Sequence, residues 1–430
     1  MTATPSNPGT RRALLGGTAS LLALSGCAVP MRASHDEGPG APESASESPV
    51  ARWMDVADRV GSDPAAEWPR PNTVALTARA MHDALNAVQP HYARWLPRGA
   101  SEPPGAGASP SVAASMAAYT VLARRCTDPG RQEAQALLAA AIAAEPSESA
   151  RTAGVALGTA IGTATLGSAG STPPEKRTFP VFTEQGRWRP TPPGSRNSYY
   201  DLSAPFLFPD RTALQGPPPP DLTSARYLED VEEVRRLGGA ASTERSAAQA
   251  EAARFWVPQL LPRNLMLVLL RRLAAQPPRG GTWDEARMAS ILATAHADTD
   301  VIVYEEKAHY AFWRPVTAIN LGSPGIRPDP LWQAMLVTPY HPDYPSGHSA
   351  DLATGTTVIA GLLGDAPLRY QAVDRQGRPT RDFPSLSAML AECSDSRIWA
   401  GAHFRSACNE GQRIGRAIGE RALAQVPRVA

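Results

Sequence analysis

Between residues 168 and 222 proline is so dense that no regular element of useful length can run through the chain. Pro217 to Pro220 are consecutive, and Gly186-Arg-Trp188-Arg-Pro190-Thr-Pro192-Pro193 reads as extended coil. A segment this long without a period is uncommon in a compact domain unless it is functional or wraps a surface. It carries Trp188, Tyr199, Tyr200, Phe206 and Phe208, side chains poorly suited to water, so ordered wrapping is expected. On either side the pattern is helical. Apolar residues recur at helical spacing over Val74–Val88, and 111–125, 130–144 and 148–166 are Ala-rich helical segments that pack through small side chains. After the coil, Thr223 or Ser224 caps a helix that runs to Leu237 and is stopped by Gly238-Gly239. Further helices are predicted at 243–256, 263–275, 284–318, His348 to Leu363, 385–393 and His403 to Leu423. Alternating strand patterns are scarce and no repeat is visible, so the class is all-α, in two helical halves joined by the long Pro-rich coil.

With 430 residues, 43% of them hydrophobic, the chain can bury a substantial core, and its formal charge of +1 gives no reason to expect a nucleic-acid partner. No apolar run beyond the N-terminus is long enough to span a bilayer. Arg11-Arg12 precedes a short apolar run that ends in Leu24-Ser25-Gly26-Cys27. This resembles a twin-arginine export signal followed by a lipobox, which predicts an exported, cell-envelope protein touching the membrane only through a lipid anchor at Cys27. Losing that signal removes two of the 42 basic side chains and none of the 41 acidic ones. The domain reading is therefore 1–27 signal, 28–50 solvated tether and 51–430 helical domain. Cys126, Cys393 and Cys408 then remain, an odd number that allows one disulfide of unreadable pairing.

Three short motifs lie in order within residues 300–425. The first is Lys307-Ala-His-Tyr-Ala-Phe-Trp-Arg314-Pro315, in a chain with only Lys176 and Lys307 as lysines. An ammonium is a point donor and a guanidinium a planar fork, so a lone lysine among arginines is informative. Seven residues are two helical turns, so Lys307 and Arg314 are expected on one face, and Pro315 requires the helix to end or kink there. A solvated basic face is the plainer reading of this motif alone. Next comes Pro345-Ser346-Gly347-His348, ahead of an apolar helix. Ser346 is a natural N-cap, while the same geometry aims free N–H groups at an anion and sets His348 beside it for proton transfer. The third is Ser396-Arg397, five residues, then His403, with Gly401 supplying a turn. Arg397 would clamp an oxyanion and His403 would serve as nitrogen ligand or nucleophile. Three cations, a hydroxyl, a glycine amide and two imidazoles suit a tetrahedral oxyanion.

This set resembles the superfamily of vanadium-dependent haloperoxidases and type 2 phosphatidic acid phosphatases, whose pattern is Lys-x6-Arg-Pro, Pro-Ser-Gly-His and Ser-Arg-x5-His-x3-Asp. All of it matches except the final acid, which is Ala407 here. Gly186–Pro193, Pro205-Phe206, Phe255-Trp256 and Phe312–Ala318 are similar to the bacterial haloperoxidase-like branch, so the resemblance covers most of 51–430. It implies a helical-bundle domain with vanadate as cofactor. Lys307, Arg314, Ser346, Gly347 and Arg397 would hold its oxygens, His403 would be the metal ligand, and His348 the acid–base. Hydrogen peroxide, a halide and a small organic substrate are the implied partners, and a homo-oligomer is compatible with it. His341 falls where bromide-type and chloride-type members differ, and histidine is the bromide type. An acid four residues past His403 would orient its ring. In its absence Ser406, Glu410 or a backbone carbonyl could substitute, and phosphohistidine chemistry would suffer more than coordination. The alternatives are a phosphatase using the same cradle and a non-catalytic oxyanion-binding relative. Outside the motifs, His296 and Asp300 share a helical face with no metal site favoured there, even with Asp298 beside them. His82-Asp83 reads as a satisfied core pair, and His309 points away from the site.

Overall fold

The structure, a computed structural model, describes residues 48–61, 70–170, 172–191, 196–256, 281–364, 381 and 383–425. The predicted signal, most of the tether and the 263–275 helix lie outside the described residues. The first half holds α1 (Pro49–Gly61), α2 (Arg70–Val88), α3 (Pro110–Arg125), α4 (Asp128–Ala144) and α5 (Glu148–Ser168). The second holds α6 (Ala225–Leu237), α7 (Ala247–Phe255), α8 (Gly281–Tyr310), α9 (Pro315–Leu321), α10 (Gly347–Leu363), α11 (Leu386–Trp399) and α12 (Arg405–Gln425). Ser224 caps α6 as the sequence suggests, its hydroxyl accepting the Tyr227 N–H. Helix α11 runs to Trp399, beyond the predicted 393, because its apolar face continues through Ile398 into a third cluster with Tyr227 and Phe404.

Helix α8 is the wall shared by both halves. Ala286, Ala289, Ala293 and Ala297 face the α1–α4 core, and Ile291, Leu292, Ala295 and Ile302 face a second core with Leu352, Ile359, Met389 and Ile414. A helix apolar all round is a buried helix. The halves are thus joined by packing as well as by the coil.

The predicted single helix over 284–318 is two helices. Ala311 has φ 44°, in the left-handed region, and Pro315 opens α9 with Arg314 as its N-cap. The periodic pattern runs on through the break, which hides it in sequence. The coil satisfies what the break exposes. The Trp188 N–H donates to the Ala311 carbonyl at 2.6 Å, and the Trp313 N–H to the Gly186 carbonyl at 3.1 Å. Trp188 is fully buried with Phe179 and Ala311. Wrapping is therefore ordered, and it includes a two-stranded antiparallel pair, β1 (Lys176–Thr178) and β2 (Tyr199–Asp201). Tyr199 departs from the expectation: it is 70% exposed, because it sits at the edge of that ribbon.

Candidate functional site

Three cations meet in the interior of the second half. Lys307 and Arg314 are fully buried and Arg397 nearly so, although each comes from a different element. Lys307 and Arg314 do not share a face of one helix. The turn at Ala311 and the start of α9 bring them together instead. Lys307 Nζ donates to the carbonyls of Pro342 at 2.8 Å, Asp343 at 3.0 Å and also Pro345, pinning the segment that leads into the Pro-Ser-Gly-His turn. Arg314 donates from Nε to the His341 carbonyl at 2.8 Å and from Nη1 to the Ala402 carbonyl at 2.7 Å. Arg397 Nη1 donates to the Trp256 carbonyl at 2.7 Å, and its Nε is buried without a hydrogen-bond partner.

Ser346 is the N-cap of α10, accepting the Ser349 N–H at 3.5 Å, and its own N–H donates to the Ala407 carbonyl at 2.8 Å. That bond ties the turn to α12. A Cβ added at Gly347 would meet nothing within 4 Å, so open space adjoins the helix N-terminus. His348 follows, half-buried on the first turn. His403 lies two residues before α12, past Gly401 with φ 74°, where a Cβ would sit 2.5 Å from the Gly238 carbonyl oxygen. Only glycine fits that turn. The His403 N–H bonds back to the Arg397 carbonyl at 3.2 Å, which couples the two residues.

The balance of charge is lopsided. The carboxylate among the cations is Asp343, 3.7 Å from Arg314 Nη1 and 2.9 Å from His403 Nδ1. Burial raises the Asp343 carboxyl to about 7, against the pull of Arg314 and Lys307. Burial and neighbouring Arg314 push Lys307 well below the usual lysine range, and burial lowers Arg314 to about 10. His403 is driven well below its ordinary value by burial and by Arg314, Lys307 and Arg397, so its ring is neutral. Among the described residues, three buried basic side chains against one carboxylate leave an excess of positive charge, which an oxyanion would offset and which carries a large desolvation cost otherwise. The donor set, the unused Arg397 Nε and the space at Gly347 therefore fit vanadate or phosphate.

Sequence reasoning missed Asp343, although it lies within His341-Pro-Asp-Tyr-Pro-Ser-Gly-His348, three residues before Ser346. None of the substitutes expected for the absent acid is in place among the side chains. Glu410 is engaged with Arg413, and the Ser406 N–H donates to Asp230 Oδ2. His341 is half-buried, with Nδ1 3.1 Å from Arg314 Nη2 and its ring against Tyr304 and Phe179, with centroids 5.6 and 6.1 Å away. His296 lies 3.7 Å from Asp351, while Asp298 accepts the Phe206 and Leu207 N–H groups. Among the described residues no group of three or more His, Cys, Asp or Glu is arranged to hold a metal cation. His82 and Asp83 are satisfied by the 91–96 loop rather than by each other, and His309 is exposed. Cys126, Cys393 and Cys408 are buried free thiols. No described helix is long and apolar enough to cross a membrane.

Residues 287–430 match the family model for the VCPO second helical-bundle domain. A bacterial vanadium-dependent iodoperoxidase structure aligns over 91% of this chain and 99% of its own, with a TM-score of 0.70 and 20% identity. The apo form of a bacterial vanadium-dependent chloroperoxidase aligns over 87% and 94%, with a TM-score of 0.62 and 18% identity. The holo-type structure of such a chloroperoxidase gives 90% and 94%, 0.61 and 16%. No curated protein sequence matches the chain significantly. The family-model match thus covers the half that holds the site, and nearly the whole chain shares the fold of these haloperoxidase structures.

Proposed function

We propose that this protein is a vanadate-dependent haloperoxidase, oxidising bromide or chloride with hydrogen peroxide to halogenate a small organic substrate. The observation that carries the reading is the buried excess of cations around a neutral His403 imidazole. Lys307, Arg314, Arg397, the Ser346 hydroxyl and the Gly347 N–H would hold the oxyanion, and His403 would give vanadium its nitrogen ligand. Bound vanadate would supply a Lewis acid that activates peroxide toward halide. Around it, Arg314 and Arg397 would fix charged oxygens through oriented forks, and Lys307, whose Nζ already donates to three backbone carbonyls, would add a positive charge that an anion stabilises. His348, half-buried at the start of α10, gives and takes a proton at its ring nitrogen. Buried Phe179 packs on the His341 ring, which in turn contacts Arg314.

Phosphate hydrolysis is the second reading, and Asp343 favours it specifically, because a carboxylate beside His403 would also support a phosphohistidine. Purified protein loaded with vanadate should brominate an activated diketone in the presence of peroxide and bromide. It should be silent without vanadate and silent as His403→Ala. Hydrolysis of a phosphomonoester by the unloaded protein, with no bromination after loading, would reverse the assignment.

A further inference from the structure

We propose that Asp343 is the positioning residue for His403, accepting the ring's Nδ1–H so that the Nε2 lone pair is presented to the bound oxyanion. The inference rests on the oxyanion reading above for its consequence, and on this chain's own contacts for its geometry. His403 has no acid one turn along its own helix, where position 407 is a buried alanine. A buried imidazole with neither nitrogen fixed can rotate and exchange tautomers, and a ligand or nucleophile needs one nitrogen unprotonated and aimed.

The Asp343 Oδ1 lies 2.9 Å from His403 Nδ1, both side chains are at most 1% exposed, and neither carboxylate oxygen has another hydrogen-bond partner, so the imidazole is the group in reach to satisfy it. No other carboxylate is in ion-pair contact with His403 among the described residues. Arg314 Nη1 lies 3.1 Å from His403 Nε2 and 3.3 Å from Nδ1, so the guanidinium reaches both ring nitrogens and does not choose between them. The carboxylate at Nδ1 makes the choice, since a carboxylate can only accept and so favours the proton on the nitrogen that faces it.

The carboxylate is itself held in place. The Asp343 N–H donates to the Phe312 carbonyl at 3.0 Å, across the break between α8 and α9. Lys307 Nζ grips the carbonyls of Pro342, Asp343 and Pro345. The backbone of Asp343 is therefore fixed by the first motif, while its side chain reaches the third. The residue acts through His403 and makes no contact with a substrate.

The test uses the full chain, with three variants. In the unloaded wild type, nitrogen-15 NMR of the histidine rings should show one ring held as the Nδ1–H tautomer with a downfield ring proton. That resonance should vanish in His403→Ala, which assigns it. Asp343→Ala should abolish the downfield shift and weaken vanadate binding, measured by equilibrium dialysis, roughly 10–100-fold, the usual cost of losing such a partner. Asp343→Asn, which keeps a carbonyl acceptor, should recover most of that affinity and the tautomer. A wild-type His403 found as the Nε2–H tautomer overturns the proposal without any variant needing to fold. Vanadate affinity unchanged in a folded Asp343→Ala overturns it too. If the wild type binds no vanadate while its ring is Nδ1–H and responds to Asp343→Ala, the oxyanion reading has failed and the positioning contact stands.

Discussion

The two halves of the molecule each contain a helix pair closed by glycine at every fourth position, and the pairs do different things. In the first half, Gly154, Gly158 and Gly162 of α5 lie on α3, where a Cβ at Gly158 would come within 2.4 Å of the Ala113 carbonyl oxygen. In the second, Gly411, Gly415 and Gly419 of α12 lie on α10, and a Cβ at Gly411 would come within 2.3 Å of the Ser346 carbonyl oxygen. The contact geometry is nearly the same. The first pair closes over Leu157, Ile161 and Ala117 and yields only packing. The second sets the N-terminus of α10 against His403 at the entry to α12, so its closeness fixes the width of the oxyanion cradle. Close packing becomes functional where charged groups converge at the end of the interface.

Gly411→Ala attacks the second pair directly. Overpacking costs about 1–3 kcal/mol, readable by urea denaturation, and the Ser346 carbonyl has to move, so vanadate affinity should fall at least tenfold as well. Arg397→Ala separates charge from packing. Losing a charge-assisted donor is worth about 1.5–3 kcal/mol, roughly 10–100-fold in vanadate affinity. The unloaded variant should unfold no more easily than wild type, because one surplus buried cation has gone. Gly158→Ala is the control: a stability loss of about 1–3 kcal/mol with vanadate affinity within twofold of wild type. A comparable affinity loss there would show that α8 couples the two interfaces.

The smallest effect is one of pH. Glu306 on α8, beside Lys307, is pushed up to about 7 by burial and by Glu410, against the pull of Arg413. Its folded value lies above its ordinary 4.5. The folded state therefore holds the extra proton, and stability falls as pH rises from about 4.5 through 7. Glu306→Gln should flatten that fall. A melting temperature that drops equally in both proteins between pH 5 and pH 8 would contradict it.

Much of this was legible beforehand. Helical periodicity located most of the described helices, because their buried faces repeat at 3.6 residues, though it gave no helix for α1 and fused α8 with α9, and the three motifs carried the cations and imidazoles. What escaped had physical reasons. The break at Ala311 leaves the apolar period intact, and its signal is only Pro315, which is equally at home in the first turn of a helix. The coil's role depends on backbone bonds from Gly186 and Trp188 to that break, and such partners have no local signature. Tyr199 looked buried by residue type, but an edge position on a two-stranded ribbon exposes it. Asp343 stands two residues before the second motif, yet its partner His403 is far along the chain, and only the folded structure sets them 2.9 Å apart.

The central claim is that the buried cation excess exists to hold an oxyanion. Vanadium bound per chain, measured on gel-filtered protein after incubation with vanadate and then with competing phosphate, tests it most directly. The account predicts one vanadate per chain in the wild type, displaced by phosphate and lost in Arg397→Ala and His403→Ala. A wild type that retains no vanadate, or retains it equally with both residues removed, would contradict it.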